Sequence, residues 1–227
     1  MKERSTCMTL KEAIEARHSV RAYTDEKIPE DIRKVLDEAV SEANEEGRLH
    51  ISIRYDDPEG FDSKLAHYGN FRNVRNFIVL AGKKDDGLDL RCGYFGEKLV
   101  ILAQTLGLNT CWAALTFNKK KVKELLAPGE SLCMVIALGY GETQGRPHRG
   151  KSFLDVCESS SAPAWFRDGI EAALLAPTAV NQQKFFFSRD GEKAVLRSKG
   201  IGSCLQTDLG IVKYHFETAS GHEVEVK

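Results

Sequence analysis

Arg17, Ser19 and Arg21 alternate within EARHSVRAY, residues 15 to 23. A guanidinium group offers five donors in a rigid fork that matches phosphate oxygens. In an extended backbone, residues two apart share a face, so these three side chains converge on one side and form a clamp for an anion. Val20 and Tyr23 favour the extended form. On a frayed helix end the same cations stay solvated, facing the negative pole of the helix.

Three further stretches carry usable groups. GRPHRGK, 145 to 151, places Arg146, His148, Arg149 and Lys151 on a glycine- and proline-rich loop. It can close over the same phosphate, stay solvated as a linker, or touch RNA weakly. APTAVNQQ, 176 to 183, offers Thr178, Asn181, Gln182 and Gln183 just after Pro177 has stopped a helix. Amides that both donate and accept can read the edge of a flat heterocycle, or simply cap a turn. LGLNTCWAALTF, 106 to 117, exposes backbone amides near Ala113 and Ala114 after a glycine turn. Trp112 there can stack on a ring or belong to the core.

The usual apparatus of side-chain catalysis is missing. The chain has no G-x-S-x-G, no H-E-x-x-H and no C-x-x-C. Its cysteines at 7, 92, 111, 133, 157 and 204 do not read as a disulfide scaffold, and its histidines lack metal-ligand spacing. No metal is expected. Chemistry without a protein nucleophile points to a cofactor.

Bulk properties narrow the class further. The chain has 227 residues, 42 % hydrophobic and 29 % charged, with a net charge of −1. That is ordinary globular composition with no field to draw nucleic acid or anionic lipid. No apolar run approaches a membrane span or a signal peptide, so the expected compartment is the cytoplasm.

The elements that must position these groups follow from pattern. Thr9 and Glu12 form a capping box for a first helix that ends near Arg17. A second helix has Pro29 in its first turn. Strands are expected at 50–55 and 76–82, a strongly apolar helix at 96–109, a helix at 119–126 capped by Asn118, and a third core strand at 131–141. Residues 142–162 read as a long connection carrying the basic cluster. A helix from 163, a hairpin about Asp190–Gly191, a helix capped at Thr207 or Asp208, and an edge strand at 222–227 complete the chain. The helices and strands do not alternate strictly, which favours an α+β layered domain over a doubly wound sheet. The expected organisation is one domain, 1–227: an N-terminal portion spanning residues 1–141, the connecting loop 142–162, and a C-terminal portion spanning residues 163–227.

In order, these pieces resemble the FMN-dependent nitroreductase family. AIEARHSVRAY is similar to its Arg-x-Ser-x-Arg flavin-phosphate motif. LGLNTCWAAL is similar to the segment after its central helix, and VIALGYGETQGRPHRGKSFLDV to its strand, glycine turn and basic tail. LLAPTAVNQQKFFFS is similar to its Ala-Pro-Ser-Ala-x-Asn-x-Gln-Pro block. Here that block lies near the C-terminus, an order that resembles a smaller branch labelled thermophile-type nitroreductases. Thr178 replaces the family's serine and keeps the hydroxyl, whereas Lys184 and Phe185 replace Pro-Trp.

The resemblance implies a nitroreductase-like fold with a mostly antiparallel central sheet flanked by helices. It implies FMN held by Arg17, Ser19 and Arg21 at the phosphate, helped by Arg149 or Lys151, with His18 against the flavin body. Pro177, Thr178, Asn181 and Gln183 are then placed at the ring edge, and the backbone of Ala113 and Ala114 on another side of the ring. The implied reaction moves hydride from NAD(P)H through flavin to an electron-poor small molecule such as a nitroaromatic or a quinone. The family also implies a homodimer. The rival reading is an FMN-binding protein for storage, sensing or regulation that does not turn over.

Overall fold

The computed structural model of the chain describes residues 8–158 and 162–227; Cys7 and the serines 159–161 of the connecting loop lie outside them. Helix α1, Leu10–Ala16, opens on the capping box: Thr9 Oγ1 accepts from the Glu12 amide at 3.3 Å, and Glu12 Oε2 accepts from the Thr9 amide at 2.8 Å. Helix α2, Glu30–Gly47, starts directly after Pro29, whose missing N–H costs nothing there. Its Leu36, Val40 and Ala43 are buried at helical spacing.

Strands β1, Ser52–Arg54, β2, Asn76–Lys83, β3, Asn109–Ala113, and β4, Glu130–Gly139, form one antiparallel sheet in the order β1-β2-β4-β3. A short helix α3, Lys64–Tyr68, lies between β1 and β2, and α5, Lys119–Lys123, between β3 and β4. Both faces of β2 are buried through Gly82, which explains its unbroken apolar run. The fold is the expected α+β layered fold, with a central antiparallel sheet flanked by helices.

β1 and α5 are shorter than the expected 50–55 and 119–126, and two further elements differ in ways that matter for the site. The apolar helix α4 runs Leu88–Thr105, eight residues earlier than expected at its start. Leu88, Cys92, Phe95 and Leu99 are all buried, so the core face of the helix already begins before residue 96. The second correction concerns α7, Leu205–Ser220, which begins at Cys204 without a side-chain cap. Asp208 is turned away from its own helix end, toward the 178–183 turn, and so cannot cap it.

The C-terminal portion contributes α6, Ala164–Ala173, the hairpin β5, Phe185–Asp190, with β6, Lys193–Ser198, then α7 and β7, Val224–Val226. These strands make a separate sheet, β5-β6-β7, in which β7 runs parallel to β6. α4 and α7 cross backbone to backbone. A Cβ on Gly93 would run into the Thr207 carbonyl, and one on Gly210 into the Leu90 carbonyl, so both positions need glycine. The main core accordingly mixes α4 and sheet residues with Ala172, Tyr214 and Ala219 from the C-terminal portion. Among the described residues, no helix is long and apolar enough to cross a membrane.

Candidate functional site

The 17–23 segment leaves α1 in extended form, with Arg17 at φ −69° and ψ 121°. Ser19 bridges Thr110 in parallel, Ala22 bridges Arg72, and Tyr23 bridges Gly141. The Val20 amide donates to Thr110 O at 3.0 Å, and the Tyr23 hydroxyl donates to Val20 O at 2.7 Å. The segment is thus threaded among the start of β3, the 71–73 turn and the loop after β4. Val20 and Tyr23 point inward, whereas Ser19 and Arg21 are exposed. The backbone supplies the alternation, and two of the three donors share the outer face.

Arg17 leaves that face. Only 4 % of it is exposed. Its Nη2 donates to Leu175 O at 3.4 Å, and its Nε lies 3.8 Å from Glu97 Oε1. Burial holds its guanidinium below the usual arginine range, opposed by the Glu97 charge and then by Cys111. Burial also raises the Cys111 thiol, while Arg21, the Ser19 hydroxyl and Arg17 all pull it down. All three donors of the motif therefore lie within electrostatic reach of one sulfur, Arg17 from beneath and the other two from the surface.

His18 is half-buried, and burial lowers its pKa first, followed by Arg17; His148 acts in the same direction. His148 comes from the basic loop, which folds back over the arginine segment. A Cβ on Gly145 would sit 2.7 Å from the His18 Cβ. Asn109 anchors the loop's start, accepting from the Gly141 amide at 2.9 Å and donating to Gln144 Oε1 at 3.0 Å.

The loop's other end grips the late block. The Lys151 amide donates to Gln183 Oε1 and Lys151 Nζ to Gln183 O, both at 2.7 Å. Asn181 Nδ2 donates to Arg149 O at 2.7 Å. Gln183 is fully buried; its amide donates to Thr178 Oγ1 at 3.0 Å, and its Nε2 to Leu174 O at 2.9 Å. His148 Nε2 lies 3.1 Å from the same Leu174 carbonyl. The early and late motifs thus meet within one chain around the adjacent carbonyls of Leu174 and Leu175.

The block itself is a left-handed turn. Val180, Asn181 and Gln183 have φ of 46°, 53° and 43°. Pro177 enters it half-buried, and Thr178 leads in with extended backbone. Asp208 holds the turn: Oδ1 accepts from the Ala179 amide at 2.9 Å, and Oδ2 from Gln182 Nε2 at 2.7 Å. Burial pushes the Asp208 carboxyl up to about 6, against the pull of Gln182 and then of the Ala179 amide.

At the far end of β3, Ala113 is buried and Ala114 half-buried. Arg149 is exposed and Lys151 half-buried. Trp112 serves the interior: its indole lies against Gly96, and its Nε1 donates to Glu97 Oε2 at 2.8 Å.

Sequence reading missed Glu97 and His215, and gave Asp208 only as a helix cap. Glu97 and His215 are both 0 % exposed, with Nε2 and Oε1 2.8 Å apart. Each had a signal: Glu97 is a charge inside the apolar helix around GEKLVILA, and Asp208 and His215 fall on the face of α7 that carries Ile211 and Val212.

Over residues 9–220 the chain matches the family described as "Putative TM nitroreductase". A Thermotoga maritima structure described as a putative nitroreductase superposes with a TM-score of 0.71 at 21% identity, covering 98% of this chain and 90% of that one. A Desulfovibrio desulfuricans structure described as a putative nitroreductase in complex with FMN gives 0.53 at 19% identity, covering 68% of this chain and 98% of that one. A Streptococcus mutans structure described as nitroreductase-like gives 0.53 at 17% identity, covering 63% of this chain and 93% of that one. No curated protein matches. A family match over nearly the whole length, on a fold of the same type, places this chain in the "Putative TM nitroreductase" family.

Proposed function

We propose that the chain binds FMN along the face of Ser19 and Arg21 and passes electrons from NAD(P)H to an electron-poor small molecule, a nitroaromatic or a quinone. One observation carries this reading. Two exposed donors stand on a rigid extended segment, directly above a buried arginine whose Nε has no hydrogen-bond partner. That donor set suits a phosphate. The cleft of about 330 Å³ between α1 and α6 suits it poorly, because Glu15, Asp168 and Glu171 line it against the single cation Lys11.

When bound, FMN supplies the two-electron chemistry, and the protein needs no nucleophile. Ser19 and Arg21 fix the phosphate from outside, and Arg17 adds charge from beneath. Arg149 and Lys151 extend the positive lining. The N-terminal portion, residues 1–141, supplies this end. The loop 142–162 ties it to residues 163–227, which bring Pro177, Thr178, Asn181 and Gln183 toward the ring edge. The contacts of Asn181 with Arg149 and of Gln183 with Lys151 support delivery of that block within the chain. His18 and the Ala113–Ala114 backbone are assigned to the flavin body, and a homodimer encloses the remaining open side.

A second reading is a flavin binder without turnover. Its support is that Gln183 and Lys151 already spend their polar groups on each other, leaving less to tune a ring. Purified protein should carry stoichiometric FMN and a flavin spectrum, and no flavin uptake refutes both readings. Anaerobic titration with NADH and NADPH separates them: rapid bleaching supports the reductase, and stable colour with both supports the binder.

A further inference from the structure

Proton counting in the buried cluster beneath the arginine segment leads one step further. Ala172 O can only accept, so His215 Nδ1, 3.0 Å away, carries a hydrogen. Its Nε2 lies 2.8 Å from Glu97 Oε1, too close for a lone pair to face a bare carboxylate. One proton therefore lies between them. Whether nitrogen or oxygen holds it, the Glu97–His215 pair is neutral as a unit. Glu97 Oε2 is occupied by the Trp112 indole N–H.

Arg17 stays charged at any ordinary pH. The one carboxylate paired with it among the described residues is Glu97, whose charge His215 already balances. The Arg17 Nε is the only buried side-chain nitrogen or oxygen among the described residues without a hydrogen-bond partner. Cys111, whose charge would favour Arg17, is kept a neutral thiol by burial, and His18 beside Arg17 carries no negative charge. Tyr214, packed toward Glu97, is likewise kept neutral by burial. The cluster is one negative charge short, and an unneutralised buried cation draws an anion strongly in a medium of low dielectric.

We infer that His215 is a positioning residue for flavin binding: by occupying Glu97, it leaves the charge of Arg17 uncompensated and available to the flavin phosphate. This inference rests on the FMN reading above. Without His215, Glu97 is free to neutralise Arg17 and to compete with the ligand. Without the carboxylate charge of Glu97, Arg17 keeps its charge and the competitor is gone. The two substitutions should therefore act in opposite directions on recognition of the phosphate alone.

Flavin-free protein titrated with FMN and with riboflavin, which lacks the phosphate, reads this out. His215→Gln should reduce the preference for FMN over riboflavin by about tenfold, the scale of one charge-assisted hydrogen bond. Glu97→Gln should preserve or increase that preference. Equal shifts in both ligands for both variants overturn the inference and leave the FMN reading standing, whereas a wild type that binds neither flavin removes both. Should a variant fail to fold, wild-type protein decides: inorganic phosphate should raise the Tm of the flavin-free form more than chloride at equal ionic strength. An equal Tm in the two salts overturns the inference.

Discussion

Residues 17–23 and residues 177–183 are both short polar stretches wedged between regular elements, yet their polar atoms end differently. In the early segment the backbone is tied down at Arg17, Val20, Arg21, Ala22 and Tyr23, while the side chains of Ser19 and Arg21 face solvent and Arg17 Nε has no partner. In the late turn the side chains of Gln182, Gln183 and Asn181 are tied down too, and left-handed backbone conformations hold the shape. A stretch with donors to spare is built to meet a ligand. A stretch that has consumed its donors is built to hold a shape. The contrast divides the candidate site into a binding half and a framing half.

Gln183 tests the framing half with the largest expected effect on folding. Gln183→Ala orphans the Lys151 amide, at about 1–3 kcal/mol, and takes one of two donors from the Leu174 carbonyl, which keeps His148 Nε2. Urea denaturation of the flavin-free protein should show a loss of about 2 kcal/mol. A loss below about 1 kcal/mol would mean the turn is held by something else.

Arg21 tests the binding half, with the signature reversed. Its side chain is exposed and forms no ion pair among the described residues; its nearest aromatic partner is the Phe71 ring, 5.9 Å away. Arg21→Ala should leave stability within about 0.5 kcal/mol. It should weaken FMN binding by about 1.5–3 kcal/mol with little change for riboflavin. If Arg21→Ala unfolds the chain while Gln183→Ala spares it, the two halves have been assigned the wrong way round.

Much of this division could be read in the sequence. Alternating apolar and polar residues around Val20 and Tyr23 gave the extended arginine segment, and the Asp190–Gly191 turn gave the hairpin. The capping box gave the start of α1. What escaped were features decided by distant partners. Arg17 turns inward because Glu97 lies 80 residues away in the chain, on a helix whose start the sequence pattern placed too late. Asp208 caps nothing locally because its two acceptor oxygens meet Ala179 and Gln182 instead. Periodicity reports which face is buried, but it does not report which buried polar atoms find one another.

Asp208 sharpens the comparison through pH. Its carboxyl is raised from 3.8 to about 6 in the folded chain, chiefly by burial. The folded state therefore binds this proton more tightly than the unfolded state does. The resulting stability is complete below the unfolded value and is lost as pH rises through about 6. Its ceiling follows from the conversion of about 1.36 kcal/mol per pKa unit, and about 2 kcal/mol is expected. Asp208→Asn should flatten the stability profile between about pH 4 and 6 relative to wild type. Parallel profiles would mean that the carboxyl is not buried in solution.

Val180 gives the smallest effect and bears on the assembly. It is β-branched, sits at φ 46° and ψ 29°, and is 94 % exposed, so a single chain offers the side chain almost nothing in return for the strain. Left-handed backbone costs such a residue about 1–2 kcal/mol, whereas glycine adopts it freely and gives back about 0.4–1 kcal/mol through its looser unfolded state. Val180→Gly should therefore raise stability by about 0.5–1 kcal/mol in the isolated chain, read as a higher Tm at low protein concentration. A fall instead would mean that the isopropyl group is covered in solution. If that fall grew with protein concentration, the cover would be a second copy of the chain, and the framing half would carry an interface as well as a turn.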